Sequence, residues 1–170
     1  YIPAPEGDPE ASTQVLISTI DYNEYVGRIG VGKVDNGEIR VNMDAVLVNH
    51  HDPDKKQRVK VSKLYEFDGL NKVEVKSAGI GSIVAISGIA DIHIGDTICS
   101  ADNPVAIPFQ KISEPTIAMQ FLVNDSPLAG QEGKFITSRH LRERLFRELN
   151  TDVSLRVEET DNMDSFKVSG

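Results

Sequence analysis

The sequence predicts a mainly β protein: a small antiparallel β-barrel over residues 13–112, then an incomplete ferredoxin-like α+β domain over residues 113–170. The barrel is predicted because short stretches rich in Val, Ile and Tyr alternate with turn residues, and no helical period there lasts ten residues. The second domain is predicted because its patterns follow the order β-α-β-β, which opens a split βαβ unit. A complete unit needs another helix and strand, so we expect it to be truncated at Gly170.

Composition limits the class of protein. The 170 residues are 39% hydrophobic and 26% charged, as in ordinary soluble globular chains. No apolar run approaches the roughly 20 residues that span a bilayer, and the polar start lacks a signal-peptide pattern, so we expect no membrane contact. The single cysteine, Cys99, fits a reducing, cytoplasmic compartment. The net charge of −8 argues against a nucleic-acid surface covering the whole protein, but allows a local basic patch.

Two segments resemble linkers. Residues 1–12 begin with the Pro-rich, acidic run "YIPAPEGDPE", and residues 101–115 contain three prolines without a clear period. Between them, the sequence predicts strands over 13–23, 26–34, 38–48, 57–67, 71–75, 81–87 and 95–100. The turns that separate these strands are predicted at Asn36-Gly37, Asp52-Pro53-Asp54, Asp68-Gly69 and Gly95-Asp96.

The stretch "GRIGVGKV" superficially resembles a phosphate-binding loop. A Walker A motif requires Ser or Thr after the lysine and a helix beyond it, whereas Val34 follows Lys33 and Asn36-Gly37 follows soon after. Asn-Gly is a strong hairpin signal, so we predict a hairpin turn there. The glycines at 27, 30 and 32 are then expected where a barrel strand bends or another backbone comes close.

In the second domain the sequence predicts a buried strand over 116–123, a loop over 124–135, a helix over 137–149 and strands over 153–159 and 165–170 around a turn at 160–164. Leu141, Leu145 and Leu149 form an apolar stripe on the helix, with Phe146 at its margin. The opposite side is predicted to carry the i,i+4 pairs Arg139–Glu143, Glu143–Arg147 and Arg144–Glu148.

The helix region is locally basic. From Lys134 to Leu149 there are five Lys or Arg against two Glu, an excess of +3 in an acidic chain. One interpretation is a solvated face with weak ion pairs; the other is a surface that faces phosphates or an acidic partner. Arg142 fits the first less well, because it projects close to the apolar stripe. Candidate contacts are Lys134, Arg139, His140, Arg142 and Arg144, with Arg28 and Lys33 in the barrel.

Other ligand-like residues favour structural roles. His50, His51, Asp52 and Asp54 crowd one turn, where an exposed hairpin tip is preferred to a metal site. Cys99 is expected to be a small buried side chain. The loop "AGQEGKF" could weakly capture an anion at the helix N-terminus, although a plain glycine-rich loop is the preferred interpretation. The residues predict no catalytic, cofactor-binding or metal site in this chain.

The chain resembles the BipA/TypA family of translational GTPases, which are similar in layout to elongation factor G. The resemblance rests on "STIDYNEYVGRIGVGKVDNGEI", "GIADIHIGDTIC", "VNDSPLAGQEGKFITSRHLRERLFRELNTDVSLRVEET", "YIPAPEGDPEA" and "FKVSG", and so covers essentially the whole chain. It implies the second, β-barrel domain of the translation-factor type and part of the third domain. Residues 1–12 would then be the linker from an upstream GTPase domain.

The resemblance implies a ribosome-binding role without catalysis in this region. GTP and Mg²⁺ would belong to the upstream domain, so the parent would be a ribosome-stimulated GTP hydrolase and this chain would be inactive alone. The implied partners are that GTPase domain, both ribosomal subunits with their rRNA, and tRNA as a further contact. The implied processes are large-subunit assembly, translation, and stress or cold adaptation, with nucleotide state relayed to ribosome contacts.

Two alternatives stay open from the residues alone. One is a self-contained protein–protein adaptor that uses the basic helix 137–149, and the other is a metal-assisted enzyme at His50 and His51. We also expect the truncated third domain to leave a sheet face uncovered, which favours self-association or mobility after about residue 115.

Overall fold

The computed structural model describes residues 1–110, 113–131 and 133–170. The chain divides into two compact units, Tyr1–Lys111 and Ile112–Gly170. The expected domain boundary between residues 112 and 113 adjoins residues 111 and 112, which lie outside the described part. Across the described ranges, no helix combines the length and the apolar character that crossing a membrane requires.

The first unit is built from ten antiparallel strands. In chain order they are β1 Gln14–Asn23, β2 Gly27–Asn36, β3 Ile39–Arg40, β4 Asp44–Asn49, β5 Asp52–Lys60, β6 Lys63–Asp68, β7 Asn71–Val75, β8 Ser77–Ala78, β9 Ile83–Ser87 and β10 Asp96–Ser100. Eight of them form one sheet in the order β5-β4-β10-β1-β2-β9-β6-β7, and β3 pairs with β8.

The large sheet curls around one core. Fully buried Ile17, Leu64, Ile86 and Ile98 belong to a single apolar cluster. Val59 of β5 and Val75 of β7, the two ends of the sheet, pack against the same cluster, so the sheet wraps around it. The predicted mainly β barrel class is confirmed.

Two predicted strands are each broken in two. The stretch 38–48 divides into β3 and β4 around Asn42, whose φ is 64°, and 57–67 divides into β5 and β6 around Val61. The two breaks face each other, because Asn42 N–H donates to the Val61 carbonyl and Val61 N–H donates to that of Met43. Val61 is fully buried there, so the gain from packing its side chain favours a bend over a continuous strand.

Two turn predictions are wrong in detail. Asn36-Gly37 does not close a hairpin, because β2 pairs with β1 and β9, while the following strand β3 pairs with β8. The turn between β4 and β5 lies at His50-His51, and β5 begins already at Asp52. Pro53 is compatible with that strand because β5 is an edge strand, where one missing N–H costs no ladder bond.

The glycines of β2 lie where the prediction put them, at points of close approach and bending. A Cβ on Gly32 would lie well inside contact distance of the Leu16 carbonyl oxygen, and one on Gly30 would meet the end of the Ile92 side chain. Gly27 has a φ of +77° at the start of the strand. Opposite Gly32 the register shifts between Ile17 and Thr19, which is a β-bulge in β1.

The first residues of the chain lie against the end of β2. The Asp8 N–H donates to Asn36 Oδ1 at 3.0 Å, and the Gly37 N–H donates to the Asp8 carbonyl, also at 3.0 Å. A Cβ on Gly7 would clash with the Asp35 carbonyl oxygen, so glycine permits this approach. Part of the segment with linker-like composition is therefore fixed to the barrel.

The second unit contains β11 Ala118–Leu122, α1 Ser138–Glu148, β12 Arg156–Glu159 and β13 Ser165–Ser169. The sheet order is β11-β13-β12, and β13 is antiparallel to both neighbours. It follows that β11 and β12 are parallel and separated by β13, which is the split βαβ arrangement that the element order predicted.

Strand β11 is exposed, which corrects the prediction of a buried strand. It is an edge strand paired only with β13. Met119 lies opposite Val168 and Phe121 opposite Phe166, so they share the helix-facing side of the sheet. Their exposed fractions are 62% and 39%, whereas Phe166 and Val168 are buried in the cluster around Leu145. An apolar period alone cannot tell a covered strand from an uncovered one.

Replacement of Gly32 by Ala tests the β1–β2 contact. The added methyl group meets a backbone carbonyl that cannot rotate away, so we expect Gly32→Ala to lower the free energy of unfolding by about 3 kcal/mol, at the upper end for overpacking. Gly79→Ala is the matched control: its Cβ meets no atom within 4 Å, so a change within about 0.5 kcal/mol is expected. Urea denaturation followed by far-UV circular dichroism measures both, and equal stability of the two variants would contradict the prediction.

Candidate functional site

Helix α1 supplies the candidate surface of the second unit. Thr137 is its N-cap, with its side chain accepting a hydrogen bond from the His140 N–H. Leu145 is buried against β13, while Leu141 and Phe146 pack at the edge of the same cluster. Leu141 and Leu145 of the predicted stripe therefore anchor the helix, whereas Leu149 does not belong to this cluster. The arginines of the helix are exposed.

Arg139, Arg142 and Arg144 of α1 have carboxylate partners. Arg139 Nε donates to Glu143 Oε1 at 2.9 Å, and Arg144 pairs with Glu148, which are two of the three predicted i,i+4 pairs. Both of these predicted pairs are present.

Arg142 has a partner that spacing along the helix could not reveal. Its Nε donates to Glu159 Oε1 at 2.6 Å, and Glu159 ends β12. The guanidinium carbon also lies 4.8 Å from the centre of the Phe146 ring, which is cation–π geometry. Arg142 therefore links the helix to the sheet edge while remaining more than half exposed.

His140 and Lys134 lie at the N-terminal end of this surface. His140 Nδ1 is 3.0 Å from Thr137 Oγ1, and its ring meets the exposed Phe135 ring edge-on at 5.3 Å between centroids. Lys134 is exposed in the loop that precedes the helix. Lys134, His140 and the three arginines thus lie within one short stretch of the chain, residues 134–144.

The ion pairs of α1 are weak links. When Glu159 is counted, the local charge excess falls from +3 to +2. Exposed pairs of this kind contribute only about 0–1 kcal/mol each to stability. A phosphate group could therefore replace any of these carboxylates at little cost, since the guanidinium groups are already outside the core.

The two candidates on β2 have different surroundings. Lys33 is exposed and pairs with Asp35 at 3.0 Å. Arg28 is half-buried opposite Tyr22 at the Gly27 end of β2, near His93. Both belong to the first unit, and neither lies in a phosphate loop.

The residues of "GRIGVGKV" do not fit GTP or Mg²⁺. The glycines of "GRIGVGKV" lie inside strand β2, with Gly32 beneath the Leu16 carbonyl and Lys33 held by Asp35. A phosphate loop needs free N–H groups at the start of a helix, and here β3 follows the strand. No step of nucleotide chemistry is therefore assigned to these residues.

His50 and His51 form the exposed β4–β5 turn, as preferred from the sequence. Their rings meet edge-on at 5.3 Å, and His51 Nε2 lies 3.1 Å from the Phe109 carbonyl oxygen. Over the described ranges, no group of three or more His, Cys, Asp or Glu is arranged to hold a metal ion.

Cys99 is fully buried, as expected. Its Sγ donates to the Val105 carbonyl at 3.1 Å. Burial raises the pKa of the thiol to about 11, although the hydrogen bond to Val105 acts in the opposite direction. The thiolate is therefore scarce at neutral pH, which makes Cys99 an inert structural residue.

A polar cluster at the β4–β10 end was not predicted. Asp96 is buried and accepts hydrogen bonds from Asn49 Nδ2 and the His93 N–H, both at 2.8 Å, and the His93 ring lies 3.8 Å away. Burial raises the pKa of Asp96, but these contacts outweigh burial and lower it. The pKa of His93 is raised by the Asp96 carboxylate, with burial and Arg28 opposing.

A second group of cations was also missed. Lys55, Lys56, Arg58 and Lys60 are all exposed on β5. The visible signal was "KKQRVK", in which Lys56, Arg58 and Lys60 alternate at strand period. The predicted strand began only at Gln57, so Lys55 and Lys56 lay outside it and the row was not apparent.

Comparison with known proteins gives consistent relationships. The family described as Elongation factor Tu domain 2 matches residues 27–99. The "Large ribosomal subunit assembly factor BipA" of Synechocystis is 49% identical over all 170 residues, that of Bacillus subtilis 44% and that of Escherichia coli K12 42%. In each case the chain spans 28% of the relative's length.

A solved structure supports the fold alone. A crystal structure of a Thermus thermophilus protein superposes with a TM-score of 0.64 at 16% sequence identity. The match covers 94% of this chain and 22% of that protein.

The His93–Asp96 pair predicts a pH-dependent contribution to stability. A raised His93 pKa stabilises the fold below about pH 6.5, and this contribution is lost as pH rises through the folded-state value. The lowered pKa of Asp96 stabilises the fold above about pH 3.8, and this contribution is lost as pH falls through the folded-state pKa. We therefore expect His93→Gln to lower Tm more at pH 5 than at pH 8. Thermal unfolding measures this, with His50→Gln in the exposed turn as control, and an equal loss at both pH values would contradict it.

Proposed function

Because the chain belongs to the BipA/TypA family, we propose that it is part of a cytoplasmic, ribosome-binding translational GTPase that acts in assembly of the large ribosomal subunit. The observation that carries the proposal is identity of 42–49% along the entire chain to proteins named large ribosomal subunit assembly factors. The match of residues 27–99 to a translation-factor domain supports the same assignment. Roles in translation and in stress or cold adaptation belong to this proposal.

Within that protein, this region would bind and relay without performing catalysis. GTP and Mg²⁺ would be held by a GTPase domain outside these residues, since the lysine and glycines of β2 are committed to the barrel. The barrel would contact the GTPase domain and the small subunit. The second unit would lie between the subunits and report nucleotide state to the ribosome.

The surface of α1 supports contact with rRNA or tRNA. Arg139, Arg142 and Arg144 each have an exposed guanidinium group in a weak pair, and Lys134 adds a cation at the helix start. Shape and phosphate contacts dominate recognition of double-stranded RNA, so such a surface suits a partner read mainly through its backbone. Arg28 and Lys33 are proposed as contacts from the barrel.

A second candidate function is a protein–protein adaptor that uses α1. Arg142 stacks on Phe146, and Phe135, which contacts His140, is 82% exposed. Arginine and aromatic side chains are typical of binding hot spots. Exposed Met119, Phe121 and Leu122 on β11 favour self-association of the second unit as a further proposal.

The GTPase assignment is tested by two reactions. The 170-residue chain alone should release no phosphate from GTP above a heat-denatured control. The full-length protein that carries this sequence should hydrolyse GTP, faster with ribosomes. If the 170-residue chain hydrolyses GTP and Lys33→Ala abolishes that activity, the claim that β2 has only a structural role is refuted. A full-length protein without ribosome-stimulated hydrolysis would refute the family function.

Charge reversal tests the α1 surface. We expect Arg139→Glu, Arg142→Glu and Arg144→Glu together to weaken sedimentation of the full-length protein with ribosomes. The slope of log K against log salt should flatten by about 3, roughly one per lost phosphate contact. Arg156→Glu with Lys167→Glu is the control on the sheet strands. An unchanged slope would exclude phosphate contact, and retention of a non-ribosomal protein after RNase treatment would favour the adaptor.

A further inference from the structure

The cations of β5 differ from most others in this protein. Lys33, Arg40, Lys63, Lys72, Arg139, Arg142, Arg144 and Lys167 each have a carboxylate within 4 Å. In the described ranges, the four cations of β5 form no such pair, although the chain has 26 acidic residues. An acidic protein thus leaves four cations of one strand without a carboxylate within 4 Å in its described part.

The geometry of β5 arranges three of these charges in a row. Val59 points into the barrel and packs against the core, so Lys56, Arg58 and Lys60 share the outer side of the strand. Residues two apart on a strand are separated by about 7 Å. All three side chains of the row are exposed, and β5 is an edge strand that pairs only with β4.

A groove lies beside this row. It has a volume of about 580 Å³ and is lined by backbone or side chains of Asp44, Ala45, Val46, Arg58, Val59, Lys60 and Ala101. Two of its lining residues are cations of the row and one, Asp44, is an acid that lies opposite Lys60 on β4. Asp52 and Asp54 are confined to the turn end of the strand.

We propose that Lys56, Arg58 and Lys60 form a phosphate-binding surface for the backbone of double-stranded RNA. The choice of RNA rests on the proposed function. The chemistry favours nucleic acid over a protein partner, because Lys is depleted in protein interfaces and the outer row on β5 carries no aromatic anchor. Uncompensated cations in a row suit recognition of a polyanion by charge and shape.

Lysines also protect edge strands from aggregation, which is the competing explanation for the row. The two explanations separate under charge reversal. Glutamate at the same positions keeps the edge charged and so preserves protection, but it repels phosphate.

Binding of the full 170-residue chain to a fluorescent RNA duplex of about 16 base pairs tests the proposal. We expect Lys56→Glu, Arg58→Glu and Lys60→Glu together to weaken binding at least tenfold at 0.1 M salt and to flatten the salt slope by about 3. The control is Arg40→Glu, Lys63→Glu and Lys72→Glu, which changes the net charge equally at paired positions of the same unit. Circular dichroism melts verify that each variant is folded.

A second variant tests the proposal without charge reversal of the β5 cations. Asp44→Asn deletes the acid in the groove, and we expect it to tighten RNA binding two- to fivefold. Equal affinities of wild type, the β5 variant and Asp44→Asn overturn the proposal, as does an equal loss in the control. The proposal is also overturned if the β5 variant keeps its affinity for the RNA duplex and loses binding only to anionic phospholipid vesicles or to poly-glutamate. Failure of the family function would appear separately, as absent ribosome-stimulated GTP hydrolysis by the full-length protein.

Discussion

The close contact between β1 and β2 is the constraint on which the barrel depends. Gly32 passes beneath the Leu16 carbonyl at the point where β1 carries its bulge. This contact joins the two halves of the sheet, since β1 continues to β10, β4 and β5 while β2 continues to β9, β6 and β7. A side chain at position 32 would separate the strands and open the core around Ile17 and Val84. The glycines that resemble a nucleotide loop are therefore required by strand geometry.

Charge in this protein is distributed in two ways. On α1 each of Arg139, Arg142 and Arg144 lies beside a carboxylate, so that surface is cationic but largely neutralised. On β5 the cations have no carboxylate within ion-pairing distance in the described residues. A neutralised surface binds phosphate only by exchange of partners, whereas an uncompensated one attracts it at longer range. The two surfaces would then contribute differently to encounter and to final binding.

Much of the candidate site could be predicted from spacing along the chain. The stripe of Leu141 and Leu145 and the pairs Arg139–Glu143 and Arg144–Glu148 follow from helical period alone. The partner of Arg142 could not, because Glu159 lies 17 residues away and meets it only when β12 returns beside the helix. The Asp96 cluster escaped prediction for the same reason, since Asn49 is 47 residues distant.

The sequence by itself determined the class of each unit, the positions of most strands and the helix, and the resemblance to a family. These follow from local alternation, turn residues and motifs that need no knowledge of distant neighbours. Only the tertiary structure decided where long strands break, which strands pair, and which apolar faces are covered. The chain bends at Val61 because burial of that side chain in the core is favourable. Asn36-Gly37 leads to β3, which pairs with β8 and not with β2. Strand β11 is exposed because it lies at a sheet edge. Each of these outcomes depends on contacts between residues far apart in the chain, whose free energies no local pattern contains.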